Sequence, residues 1–165
     1  MNARTAINTQ YLMTLHAPLE SPQVISSELK IYNVRPGGWI RGPHIHGDVV
    51  SPSADWLHVM PTGTKRLDVR LSIRADDQSW IFMTYAGRIA TAEQVRRKQP
   101  PTDLATQEAS YFFITPVFET ESVKYGWLND LVCIGKNVAN REEVENDSLS
   151  FRRGDIWNVI LWQLR

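Results

Sequence analysis

His44, His46 and Asp48 recur at i, i+2 and i+4, the spacing that sets three side chains on one face of a β-strand. Neutral imidazoles so placed can chelate one metal ion with the carboxylate as a third ligand, or exchange protons near neutral pH. A cupin-type metal centre also needs a following Glu and a distant third His in a Gly/Pro setting. His16 and His58, the other two histidines, have no such setting. Metal binding is therefore set aside and no cofactor is expected. His44 and His46 stay as an acid/base pair, against the plainer reading of a surface or cavity-lining pair.

The second chemical feature is the run Arg66–Arg74. Leu67, Val69, Leu71 and Ile73 alternate with Asp68, Arg70, Ser72 and Arg74. A strand with one apolar and one polar face ordinarily turns the apolar face inward, which leaves Asp68 and Arg70 in solvent. A closed barrel with a covered outer face permits the reverse, polar side chains lining a ligand cavity with Asp68 and Arg70 as an internal ion pair. The functional reading takes that reverse arrangement. Aromatic residues crowd the later segments: Trp80, Phe82, Tyr85, Tyr111, Phe112, Phe113, Phe118, Tyr125 and Trp127. They are either core packing or the walls of a flat apolar pocket, whose tyrosines could donate to developing oxyanion charge.

The elements that must position these groups are mostly strands. Arg66–Arg74, the turn Asp76-Asp77-Gln78-Ser79 and Trp80–Ile89 read as a hairpin. Residues 9–16, 24–34, 39–50, 54–59, 111–119, 126–134 and 156–164 are further strand candidates. They are separated by Pro36-Gly37-Gly38, Ser51-Pro52-Ser53, Pro61-Thr62-Gly63 and the polar stretch 137–147. One short helix is expected near residues 92–98, capped by Thr91 and stopped before Pro100-Pro101. Many short strands at this spacing give an all-β fold, a small closed antiparallel barrel or a sandwich.

Composition narrows the rest. A chain of 165 residues with 42% hydrophobic and 22% charged residues has material for one packed domain, residues 1–165. Eighteen basic residues balance eighteen acidic ones, which gives no electrostatic case for nucleic acid or an anionic membrane. No apolar run approaches the ~18 residues that span a bilayer, and the first residues lack a signal-peptide stretch, so a cytoplasmic protein is expected. The single cysteine, Cys133, lies in the apolar run Leu131–Ile134 and reads as an inert core thiol. Nucleophile-elbow, phosphate-loop and dinucleotide fingerprints are missing from the sequence.

Several short motifs occur together and in order: Gly42-Pro43 to Gly47-Asp48-Val49, Ser53-Ala54-Asp55-Trp56, Leu67-Asp68-Val69-Arg70, Tyr111-Phe112, Pro116–Thr120 and Tyr125–Asn129. In this the chain resembles the family called domain of unknown function 3237, over residues 9–164. The resemblance implies a lipocalin-like or allene-oxide-cyclase-like barrel, often oligomeric. It places Asp55, Trp56, Asp68, Arg70, Phe118, Glu119, Trp127 and Asn129 at motif positions. The chain departs from the pattern at His44 and His46.

The reading that results is a cofactor-independent acid/base enzyme (isomerase, cyclase or lyase) acting on a small apolar, oxygenated or aromatic molecule in a barrel cavity. Asp55 or His44 is the expected base, and Arg70 and Tyr85 the oxyanion donors. Asp68 is expected to orient Arg70, with Trp56 and Trp127 as stacking walls. His46, Phe118, Glu119 and Asn129 complete the expected substrate-contact set. The alternatives are a hydrophobic small-molecule binder without chemistry, and a structural subunit of a homo-oligomer.

Overall fold

The structure, a computed structural model, describes residues 7–91, 110–138 and 156–164. Within them the strands are β1 (Thr9–Pro18), β2 (Gln23–Val24), β3 (Leu29–Asn33), β4 (Trp39–Gly42), β5 (Ile45–Val59), β6 (Lys65–Ala75), β7 (Trp80–Thr91), β8 (Ser110–Glu119), β9 (Cys133–Asn137) and β10 (Ile156–Leu164). The strands follow one another antiparallel round the ring β5–β4–β1–β10–β9–β8–β7–β6, and β6 pairs back onto β5. Eight strands thus close a barrel, and closure removes the open edges that invite aggregation. β3 continues the line of β4 along β5: Trp39–Gly42 face Asp48–Ile45, and Leu29–Asn33 face His58–Ala54. β2 adds a short pairing outside β3.

Parity along each strand decides what the barrel contains, because successive side chains point to opposite faces. On β6, Leu67, Val69, Leu71, Ile73 and Ala75 are buried, while Asp68 and Arg70 stand on the other face. On β7 the buried residues include Ile81, Met83 and Tyr85, on β8 Phe112, Ile114 and Phe118, and on β1 Met13, Leu15 and Ala17. These side chains form one contiguous cluster. The packing is close: a Cβ built on Gly87 or Gly135 would come within 2.8 or 2.6 Å of the Ile114 side chain.

The ordinary orientation of the Arg66–Arg74 strand therefore holds, and the reversed one expected for a polar-lined cavity is overturned. Asp68 and Arg70 side chains are 49% and 48% exposed. Their charges remain hydrated on the outer wall, which avoids the several kcal/mol that burying each ion would cost.

The expected hairpin is β6–β7, in register from Lys65↔Ile89 to Arg74↔Trp80. The expected strand at 126–134 is corrected. Gly126–Asp130 is a 3-10 turn, and β9 starts only at Cys133. Side chains there satisfy backbone groups that a ladder would otherwise serve. Asn129 accepts from Thr120 N–H and donates to Thr120 C=O (both 2.9 Å), and Trp127 Nε1 donates to Lys124 C=O (3.1 Å). The helix expected near 92–98 lies outside the described residues. Among the described residues no helix is long and apolar enough to cross a membrane. Cys133 is buried, and burial pushes its thiol up to about 11.

Candidate functional site

β5 carries the one carboxyl side chain buried in the barrel among the described residues. Its odd-numbered residues Ile45, Val49 and Leu57 point inward, and Asp55 shares their parity. The β5–β6 register shifts by two residues between Val50 and Ala54, so the inward parity survives the irregularity. Asp55 is 1% exposed. It sits opposite Tyr32 on β3 and Val69 on β6, and Val69 is in turn opposite Tyr85 on β7. Tyr32, Asp55, Val69 and Tyr85, all buried, thus form one tier of the barrel wall.

The carboxyl is half satisfied. Oδ1 accepts the Asp68 backbone N–H at 3.1 Å, whereas Oδ2 is buried with no hydrogen-bond partner. Loss of hydration is the main reason its pKa rises to about 7; the Asp68 N–H opposes the rise and the Asp68 carboxylate adds to it. Near neutral pH, Asp55 is therefore present in both protonation states. Burial, and then the proximity of Asp55, push the Tyr85 phenol well above its usual range, so it stays a hydrogen-bond donor. A group that can give and take a proton, in the same tier as a phenol that remains protonated, is chemically suited to enolisation.

The other sequence-derived site residues are not brought to this tier. Trp56, Asp68 and Arg70 lie on the outer wall, with Arg70 stacked over the Trp56 ring at 4.9 Å and 3.3 Å from Asp68. Arg70 and Tyr85 are thus on opposite faces of the sheet and cannot serve one oxyanion. Phe118 is a core residue opposite Met83, and Glu119 is exposed opposite Phe82. Trp127 and Asn129 hold the 3-10 turn.

His44 lies in the β4–β5 turn rather than on a strand, and His46 and Asp48 are exposed on β5. Ten residue steps of β5 separate Ile45 from Asp55, two of them taken up by the register shift, which leaves roughly 26 Å at the usual strand rise, so His44 cannot act with Asp55. Among the described residues no group of three His, Cys, Asp or Glu side chains is placed to hold a metal ion. His44→Ala should accordingly change unfolding free energy in urea by less than ~0.5 kcal/mol, the usual range for exposed positions. A larger change would mean that the turn makes contacts beyond those described.

Two features escaped the sequence reading. Tyr32 joins the tier only through the β3–β5 register, which leaves no local signal. The β6–β7 turn is clamped to the 3-10 segment: Asp76 accepts from Lys124 Nζ (2.9 Å) and from Tyr125 OH, and Asp77 accepts from Ser79 and Ser122. Hydrogen bonds from Lys124 and Tyr125 hold the Asp76 carboxyl below its usual range, and Ser79 does the same for Asp77.

Architecture and tier together define a closed antiparallel β-barrel with a packed apolar core and, among the described residues, one buried carboxyl in its wall. The chain belongs to the family described as protein of unknown function (DUF3237), whose model matches residues 7–150. It is 30% identical to a UPF0311 protein of Clostridium acetobutylicum over 91 residues, 55% of this chain and 58% of that one. The match therefore spans less than two thirds of that relative's length. Among solved structures, it is similar to a beta-barrel like protein from Acinetobacter baumannii (TM-score 0.70, 23% identity, all of both chains). It is also similar to a protein from Penicillium herquei described as an enzyme (TM-score 0.62, 20% identity, all of both chains). At these identities the likeness is one of fold.

Proposed function

We propose that this barrel is a cofactor-independent acid/base catalyst, of the isomerase, cyclase or lyase type, acting on a small, largely apolar, oxygenated molecule. The observation that carries the reading is the buried Asp55 carboxyl with its unpartnered Oδ2. An unsatisfied buried polar atom costs about 1–3 kcal/mol, and sites of reaction are where such costs are commonly retained. In the proposed step, Asp55 carboxylate removes a proton from the carbon next to a substrate carbonyl while the Tyr85 phenol hydrogen-bonds the oxygen that gains charge. The Asp55 carboxyl then returns the proton to another atom of the same molecule, so charge and atoms balance without a co-reactant. Describing the fungal relative as an enzyme supports the reading only in that the same fold can host chemistry.

Because Asp55 is 1% exposed, the reading requires side chains of its tier to move aside for substrate. Hydrogen–deuterium exchange reports such access directly. The probe is 2-tetralone, an enolisable aryl-fused ketone, followed by NMR in deuterated buffer at neutral pH. The wild type should accelerate exchange at the α-carbons, and Asp55→Asn should lower the protein-dependent rate at least 100-fold, the usual lower bound for a positioned acid/base. Exchange at the buffer rate with wild type, or equal rates for both proteins, would overturn the proposal. Saturable binding without exchange would favour a simple binder.

A further inference from the structure

The register shift in β5 has a second consequence on the outer wall. A groove of about 500 Å³ opens there beside residues 51–54, within the size range of small-ligand sites. Trp56, Phe82 and Pro52 give it apolar surfaces, and Arg70 lies at its side. Phe82 is 40% exposed, so a large ring lies in solvent next to a cation.

Arg70 is held from two directions. Its guanidinium lies over the Trp56 ring at 4.9 Å, and Nη1 is 3.3 Å from Asp68 Oδ1. Among the described residues these are the groups that engage it, and one carboxylate oxygen does not occupy five N–H donors. The fork that remains suits a second, planar carboxylate. Elsewhere in the lining, two of the three serines are already engaged. Ser53 Oγ donates to Val50 C=O and accepts from Ser72 N–H, and Ser72 Oγ donates to Pro52 C=O. Glu20 accepts from Asn33 Nδ2 and places a negative charge in the lining, which disfavours a second anionic group on the same ligand.

We propose that this groove is a binding site for a planar aromatic monocarboxylate, with the carboxylate on Arg70 and the ring against Trp56 and Phe82. The site is on the opposite face of the wall from Asp55 and does not depend on the catalytic reading. Electrostatic pairing by Arg70 predicts discrimination by charge, and the Trp56–Phe82 surfaces predict dependence on ring area.

The test uses the whole protein with 2-naphthoate as probe and 2-naphthalenemethanol as its uncharged analogue. Affinities come from calorimetry and the location from amide and indole NMR shifts. Naphthoate should bind saturably and at least tenfold more tightly than the alcohol, shifting the Arg70, Ser72 and Trp56 signals. Arg70→Gln should weaken naphthoate at least tenfold and leave the alcohol unchanged, and Phe82→Ala should weaken both. Arg70 and Phe82 are solvent-exposed, so neither variant threatens the fold, and circular dichroism checks that. The proposal is overturned by naphthoate affinity that Arg70→Gln leaves intact, by equal affinity for acid and alcohol, by shifts confined to another face, or by no saturable binding.

Discussion

Asp55→Asn should make the barrel more stable at pH 8 relative to wild type than it is at pH 5, by about 3 kcal/mol. The wild-type carboxyl titrates near 7 when folded and near 3.8 when unfolded. Below about pH 4 both states hold the proton and burial costs no ionisation energy. Between these values the unfolded chain has released a proton that the folded chain retains, so stability falls as pH rises, by ~1.4 kcal/mol per unit. Above 7 the folded carboxyl ionises as well and the penalty levels off.

From pH 5 to 8 the wild type crosses about two units of that slope, hence the ~3 kcal/mol. Asparagine does not titrate, and its Oδ1 can still accept the Asp68 N–H. It does place an amide N–H where Oδ2 had no partner, a constant cost of ~1–3 kcal/mol. The comparison is therefore between slopes, from urea unfolding of both proteins at several pH values. Parallel profiles would show that Asp55 is not the buried, proton-retaining group described. A variant that gains stability relative to the wild type as pH rises, while losing ketone exchange, is what a catalytic acid retained against the interest of the fold should give.

The barrel was legible where parity was unbroken. Leu67, Val69, Leu71 and Ile73 specify the inward face of β6, and the rule that apolar faces turn inward placed them correctly. Taking Asp68 and Arg70 inward required a hollow centre, but Met13, Leu15, Met83 and Ile114 fill it. Nothing in a period-2 pattern reports how far opposite walls stand apart.

The candidate site was legible in part. Asp55 has the same parity as Ile45, Val49 and Leu57, but Ser51-Pro52-Ser53 reads as a turn between two strands. In the structure β5 runs through that stretch as one strand of 15 residues. That continuity puts His44 and Asp55 toward opposite ends of the barrel, a separation no local motif encodes. Trp127 and Asn129 follow an alternating pattern, yet their bonds to Lys124 and Thr120 bend the chain into a turn. Side-chain-to-backbone bonds of this kind compete with the ladder and leave the hydrophobic period unchanged.

Closure itself rests on a narrow seam, and Gly42→Ala should break it, lowering unfolding free energy by about 3 kcal/mol, the upper end for overpacking. β1 and β4 are joined through three register pairs, Thr14↔Arg41, Leu15↔Ile40 and His16↔Trp39. Just beyond them, a Cβ on Gly42 would lie 2.1 Å from the Leu12 carbonyl oxygen and 3.0 Å from Met13 Cα. These are backbone atoms that no rotamer change can move. Leu12 already sits where the β1–β10 register shifts, so β1 cannot retreat without disturbing a second ladder. Gly126→Ala is the matched control, since nothing lies within 4 Å of its added Cβ, and it should stay within ~0.5 kcal/mol of wild type. Urea unfolding of the pair separates steric closure from a general effect of the added methyl, and equal midpoints would contradict the β1–β4 approach.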